Sequence, residues 1–102
     1  MDFKLARVAK DDLCDITDYY ADINPDLADR FIQELNSVLL TLCRHPEMGS
    51  RRYAHFLPAQ SLRVWQLDRF PFLIFYRIDS EQVTVQRILH ERRDISAGLI
   101  SR

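Results

Sequence analysis

The spacing of apolar residues changes several times along this chain, and each change marks a predicted element. Near the start, Phe3 and Leu5 alternate with Lys4 and Ala6, a period of two that predicts a first strand over Phe3 to Val8. From Ala9 to Asp22 the spacing lengthens. Leu13, Ile16, Tyr20 and Ile23 recur at helical intervals, while Asp11, Asp12, Asp15 and Asp18 fall elsewhere. This predicts an amphipathic helix whose acids favour its first turn, where the helix dipole suits them. Asn24 then supplies an N-cap and Pro25 a residue preset for the first helical position. Ala28, Phe31, Ile32, Leu35, Val38, Leu39 and Leu42 continue one apolar stripe, so a second helix runs to Arg44 or His45.

Pro46 and Gly49 stop that helix, and Glu47 to Gln60, with Pro58 and little periodicity, reads as an ordered loop. Three runs rich in aromatic and β-branched residues follow: Leu62 to Leu67, Phe72 to Ile78 and Val83 to Leu89. The links Asp68 to Pro71 and Asp79 to Gln82 are too short for anything but antiparallel hairpins. Asp94 to Arg102 reads as one weak helical turn or a loose tail. The order β-α-α-β-β-β predicts a single α+β domain over residues 1–102, its helical hairpin packed on one face of a small, mainly antiparallel sheet. Phe31, Leu35, Val38 and Leu42 are read as core. Trp65 and Phe75 read as core or as interface anchors.

An apolar content of 47% over 102 residues supports one real core and excludes a disordered chain. No apolar run approaches the roughly 20 residues of a membrane-crossing helix, and the N-terminus has no secretory pattern, so a cytoplasmic protein is expected. Cys14 and Cys43 fall on the two helices. In a hairpin folding near Asn24 they lie about 15 Å apart at 1.5 Å per residue, too far for a disulfide. His45, His55 and His90 are scattered and no CxxC occurs, so neither metal nor cofactor is expected.

The net charge of −1 conceals a division. Residues 1–50 carry five Lys/Arg against ten acids, and residues 51–102 carry nine Arg against five acids. Arginine forks pair with carboxylate or phosphate, so the basic half suits an acidic protein segment or nucleic acid.

Four strings, "DLCDITDYYADINPDLADRFIQEL", "HPEMGSRR", "LRVWQLDRFPFLIFYRI" and "VQRILHERRDI", cover most of the chain. In order and spacing they resemble the ParE-type toxins of the RelE/ParE family. The most specific part joins an arginine and tryptophan on one strand, a Phe-Pro-aromatic turn into Leu-Ile-Phe-Tyr-Arg, and a Leu-His-x-Arg-Arg-Asp exit. The resemblance implies a toxin encoded beside a small ParD-like antitoxin, held with it in a hetero-oligomer, and DNA gyrase as the target of characterised ParE proteins.

RelE-type relatives instead cut mRNA in the ribosome, which requires a base, cationic clamps and an acid. The tail Asp94 to Arg102 holds no tyrosine, and Arg51 and Arg52 stand where catalytic relatives often carry lysine. Arginine is a poor base because it stays protonated. By similarity to YoeB-type enzymes, a ribonuclease would use Glu47, Arg63 and His90. Otherwise no catalytic residue is expected, and target binding falls to Arg63, Arg77, His90, Arg92 and Arg93. Each has an ordinary alternative: His90 can hydrogen-bond nearby backbone, Arg63 and Arg77 can pair with acids on the sheet, and Arg92 and Arg93 can be solvated or pair with Asp94. Asp11, Asp15, Asp18 and Asp22 form either a solvated helix face or an antitoxin dock. Three functions follow: a gyrase-binding toxin, a ribosome-dependent endoribonuclease, and an inactive toxin remnant kept as an antitoxin partner.

Overall fold

A computed structural model describes residues 1–57 and 61–100. Strand β1 (Asp2–Leu5) leads into helices α1 (Arg7–Ile23) and α2 (Pro25–Arg44). Two short 3-10 turns, Pro46–Met48 and Ala54–Phe56, precede β2 (Arg63–Gln66), β3 (Phe72–Asp79), β4 (Gln82–His90) and a terminal helix α3 (Ile95–Ile100). The element order and the α+β class are those read from the sequence. The sheet has the order β1-β4-β3-β2. Its two hairpin pairings are antiparallel, and β1 joins β4 in parallel, so the sheet is mixed.

The expected β1 is too long and α1 starts earlier than its spacing suggests. Pairing with β4 stops at Leu5 opposite Val85, the Ala6 N–H closes on the Val85 carbonyl at 2.8 Å, and the helix begins at Arg7. Asp11 and Asp12 therefore lie beyond the first turn, which holds no acid. The entry to α2 matches its reading: Asn24 Oδ1 accepts the Asp26 N–H at 2.9 Å, with Pro25 at the first helical position. At the far end Pro46 opens a 3-10 turn after the last α2 residue, Arg44.

One core lies between the helical hairpin and the sheet. Ala9, Ile16, Phe31, Leu35, Leu39 and Leu42 meet Ile74, Tyr76, Val83, Val85 and Ile88 there. Its aromatic end gathers Tyr20, Phe31, Phe70 and Phe72, with ring centroids 5.2–6.3 Å apart and mostly edge-on, the arrangement ring quadrupoles favour. Trp65 is half-buried against this core. A second core covers the opposite sheet face, where Leu62, Val64, Leu73, Phe75 and Leu89 pack under Ile95 and Leu99 of α3, with Tyr53, Phe56 and Leu57 beside them. The predicted loop and tail thus shield the face that the helical hairpin leaves bare. Gly98 permits that approach, since a Cβ there would lie 2.7 Å from Leu89 Cδ1. Pro58, Ala59, Gln60, Ser101 and Arg102 lie outside the described residues.

The strip after α2 is clamped from beneath. The Tyr76 hydroxyl donates to the Pro46 carbonyl at 2.8 Å and accepts the Gly49 N–H at 2.9 Å. Arg63 Nη1 donates to the carbonyls of Glu47 and Gly49 at 3.2 and 3.0 Å. Ser50 bridges to Val64 in antiparallel fashion, covering part of the outer edge of β2. A side chain on Gly49 would put its Cβ 2.3 Å from the Tyr76 hydroxyl, so glycine is required for the close approach.

Tyr76→Phe should cost about 1–3 kcal/mol, because it strands a buried N–H and a carbonyl while keeping the ring. Burial pushes the Tyr76 pKa above its ordinary value, although the Gly49 N–H and the Arg63 charge pull the other way. The unfolded chain then releases this proton first as pH rises past about 10, so the tyrosine's contribution is full below that pH and is lost above it. Urea unfolding at about pH 8 and about pH 11 should show the gap between wild type and Tyr76→Phe narrowing at the higher pH. A gap that widens there would refute the role given to the buried hydroxyl.

Candidate interaction site

Strand β4 ends in a tightly held turn. His90 pairs with Phe72 across the sheet, and its ring meets the Phe72 ring edge-on at 5.3 Å. Its Nδ1 accepts the Arg92 N–H at 3.1 Å, and its carbonyl accepts the Arg93 N–H at 3.0 Å. This is the backbone-bonding role that a histidine at a strand end commonly takes. The Glu91 N–H donates to Pro71 O at 2.9 Å, and the Glu91 carboxylate accepts from Gln66 Nε2 at 2.8 Å. The backbone beneath Arg92 and Arg93 is thus fixed from three sides.

Both arginines are exposed, and among the described residues neither guanidinium enters an ion pair. Asp94 forms no ion pair with either of them. Its Oδ1 accepts the Ala97 N–H at 3.2 Å at the start of α3. Two free guanidinium groups on a rigid turn can take carboxylates or phosphates with little loss of backbone freedom.

Beside this turn a cleft of about 460 Å³ separates α1 from the start of β3 and the end of β4. Tyr19 and Ile23 of α1 face Pro71, Phe72 and His90 across it, with Asp15 at its rim. The exposed acids Asp11, Asp15, Asp18 and Asp22 form a continuous stripe along α1 at helical spacing. Ile23, read from its spacing as part of the packed stripe, is 58% exposed. Ile32 of α2 is likewise 47% exposed, which corrects its place on the buried stripe.

The other sequence candidates do not gather into one site. Arg63 pairs opposite Tyr76 and His90 opposite Phe72, on the two strands that flank β3. Strand spacing puts their backbones roughly 16 Å apart, and Glu47 lies at the Arg63 end. The set Glu47, Arg63 and His90 is therefore divided between opposite ends of the sheet. Arg63 and Arg77 also fail to share a surface. Arg63 lies on the face of Tyr76, whereas Arg77 is the next residue along β3, faces Thr84 on the other side, and reaches Asp79 at 3.4 Å.

One pair escaped the sequence reading. Asp12, grouped there with the acids lying off the apolar stripe, is 8% exposed, and its partner Arg87 is 5% exposed. Asp12 accepts Arg87 Nε at 2.7 Å and Nη2 at 2.9 Å, and also the Ile88 backbone N–H at 3.0 Å. Arg87 Nη1 donates to the Gly98 carbonyl, so one ion pair ties α1, β4 and α3 together. Asp12 shares the helical phase of Ala9 and Ile16, and that phase was the signal available. Cys14 and Cys43 are free thiols. Among the described residues no His/Cys/Asp/Glu cluster could hold a metal, and no helix is long and apolar enough to cross a membrane.

Comparison with known proteins gives a consistent result. The family model described as "ParE toxin of type II toxin-antitoxin system, parDE" matches residues 3–95. No curated protein matches significantly. Among solved structures, a chain of the structure titled "Chromosomal ParDE TA system from P. aeruginosa" is 27% identical, with a TM-score of 0.72. The match covers 88% of this chain and 95% of that one.

Proposed function

The chain belongs to the ParE toxin family of type II toxin–antitoxin systems, and from that premise we propose that it arrests growth by binding DNA gyrase in the cytoplasm. The observation that carries this reading is the pair Arg92 and Arg93, exposed and unpaired among the described residues on a turn whose main-chain N–H groups at residues 91–93 are all hydrogen-bonded. His90 serves as the turn's anchor. Arg63 and Arg77 are engaged within the fold, so their part in target contact is secondary. The mode of action needs no catalytic residue, and the separation of Glu47 and Arg63 from His90 weighs against the ribonuclease alternative.

A small ParD-like antitoxin is proposed to neutralise the toxin in a hetero-oligomer, docking along the acidic stripe Asp11, Asp15, Asp18 and Asp22. Oppositely charged partners gain association rate and register from such a stripe. ATP-dependent supercoiling of relaxed plasmid by gyrase, across a titration of the purified chain, tests the proposal. Dose-dependent inhibition with trapped, cleaved plasmid is the expected result. Full supercoiling at a large excess of the chain would refute gyrase as the target, and transcripts cleaved during arrest would transfer the reading to the ribosome.

A further inference from the structure

Tyr19 and Ile23 are 63% and 58% exposed, more than any other large apolar side chains among the described residues. They lie one helical turn apart on α1, over the cleft that ends at Pro71, Phe72 and His90. On the α1 side Asp15 lines this cleft, with Asp18 and Asp22 exposed beside it on the same helix. On the other side the cleft ends at His90, from which the chain runs into the exposed Arg92 and Arg93. Among the described residues no ion pair crosses between the flanks.

A surface with an apolar centre and flanks of opposite sign discriminates among partners. An acidic peptide or nucleic acid is repelled by the α1 flank, and a basic segment is repelled by the arginines. A second copy of the chain satisfies both flanks at once. A two-fold axis through Tyr19 and Ile23 lays each copy's acids against the other's arginines, which is the self-complementarity an isologous dimer requires. Aromatic and arginine residues at such a centre are also those that dominate interface energies.

We propose that the chain, when free of antitoxin, pairs with a second copy of itself across this cleft, with Tyr19 and Ile23 at the dimer centre and Asp15 and Asp18 facing the partner's arginine turn. The dimer stands on the geometry alone. One consequence rests on the proposed function above: pairing covers Arg92 and Arg93, so the monomer is the form that reaches the target.

Sedimentation equilibrium of the full chain, from about 1 µM to several hundred µM, tests the proposal. A reversible dimer that weakens with added salt is expected. Arg92→Glu/Arg93→Glu and Asp15→Arg/Asp18→Arg should each weaken it on the order of a hundredfold, since attraction becomes repulsion at both flanks. An equimolar mixture of the two variants should associate again as a heterodimer. Should either charge variant fail to fold, as judged by circular dichroism, Tyr19→Ser removes the apolar centre at an exposed position and should also dissociate the dimer. A wild-type chain that stays monomeric throughout, a dimer that survives both reversals, or well-folded variants that remain monomeric when mixed would each overturn the inference. Growth arrest separates this from the target assignment. Tyr19→Ser, at an exposed position outside the target and antitoxin surfaces, should be monomeric and still toxic, and a monomeric but harmless variant would contradict the monomer as the active form while leaving the dimer itself standing.

Discussion

Asp12→Ala is expected to destabilise the fold by about 3–5 kcal/mol, a large share of the roughly 5–15 kcal/mol that holds a domain of this kind. The cost has two sources. Arg87 keeps its charge at 5% exposure with only the Gly98 carbonyl left as a partner, and the Ile88 N–H loses its acceptor. That N–H needs a side-chain partner because β1 ends opposite Val85, leaving β4 without a strand on that side beyond that point while β3 continues on the other. The Asp12 carboxylate fills the gap. A double replacement, Asp12→Leu with Arg87→Met, should cost much less than the two single changes added together, since it removes the stranded charge along with its partner. Urea unfolding of wild type, Asp12→Ala, the two single replacements and the double measures the loss and the coupling. A loss below about 1 kcal/mol for Asp12→Ala, or strictly additive effects, would refute the account.

Arg92→Glu/Arg93→Glu should abolish growth arrest and leave the fold unchanged. Both side chains are exposed, and substitutions at such positions usually shift stability by no more than about 0.5 kcal/mol. The backbone bonds of the turn come from the main-chain N–H groups of residues 91–93, which the substitutions retain. Viable counts after induction should return to those of cells carrying an empty vector. Undiminished killing by the double variant, at equal protein levels and equal unfolding midpoints, would remove this turn from target recognition. The comparison with Tyr19→Ser isolates the cause, because both variants lose the proposed dimer while only one loses its arginines.

The local chemistry of the chain announces most of its elements. Asn24-Pro25 marks a helix entry, the stripe from Phe31 to Leu42 marks a buried face, and links of a few residues force β2, β3 and β4 into hairpins. Ser80 and Glu81 take positive φ values of 49° and 62° in the second hairpin, as its two-residue turn demands, although neither is the Asn or Gly that would have advertised that turn. Other features depend on distant residues and leave weaker traces. Nothing in Phe3-Lys4-Leu5 states that its neighbour is a parallel strand some eighty positions later. Asp12 reads as one acid among several until its phase is set beside Ala9 and Ile16. Ile23 has the spacing of a core residue, yet it is left uncovered at the last turn of its helix. Arg63 and Arg77 look adjacent until the pairing register assigns them to opposite faces.

The parallel union of β1 with β4 sets when the molecule can exist at all. Asp2 finds its partner at Gln82, and Asp12 finds its own at Arg87. Contacts so remote in sequence form late and slowly. As the chain leaves the ribosome, its helical hairpin must wait for the floor it packs on, because β4, an inner strand of that floor, is translated after the other three. A product released near Ser80 would have helices and the β2–β3 hairpin but not the β4 residues Val83, Val85 and Ile88 that complete their floor, and no arginine turn. Synthesis therefore acts as a delay, and a truncated translation product of this toxin should be harmless to the cell that made it.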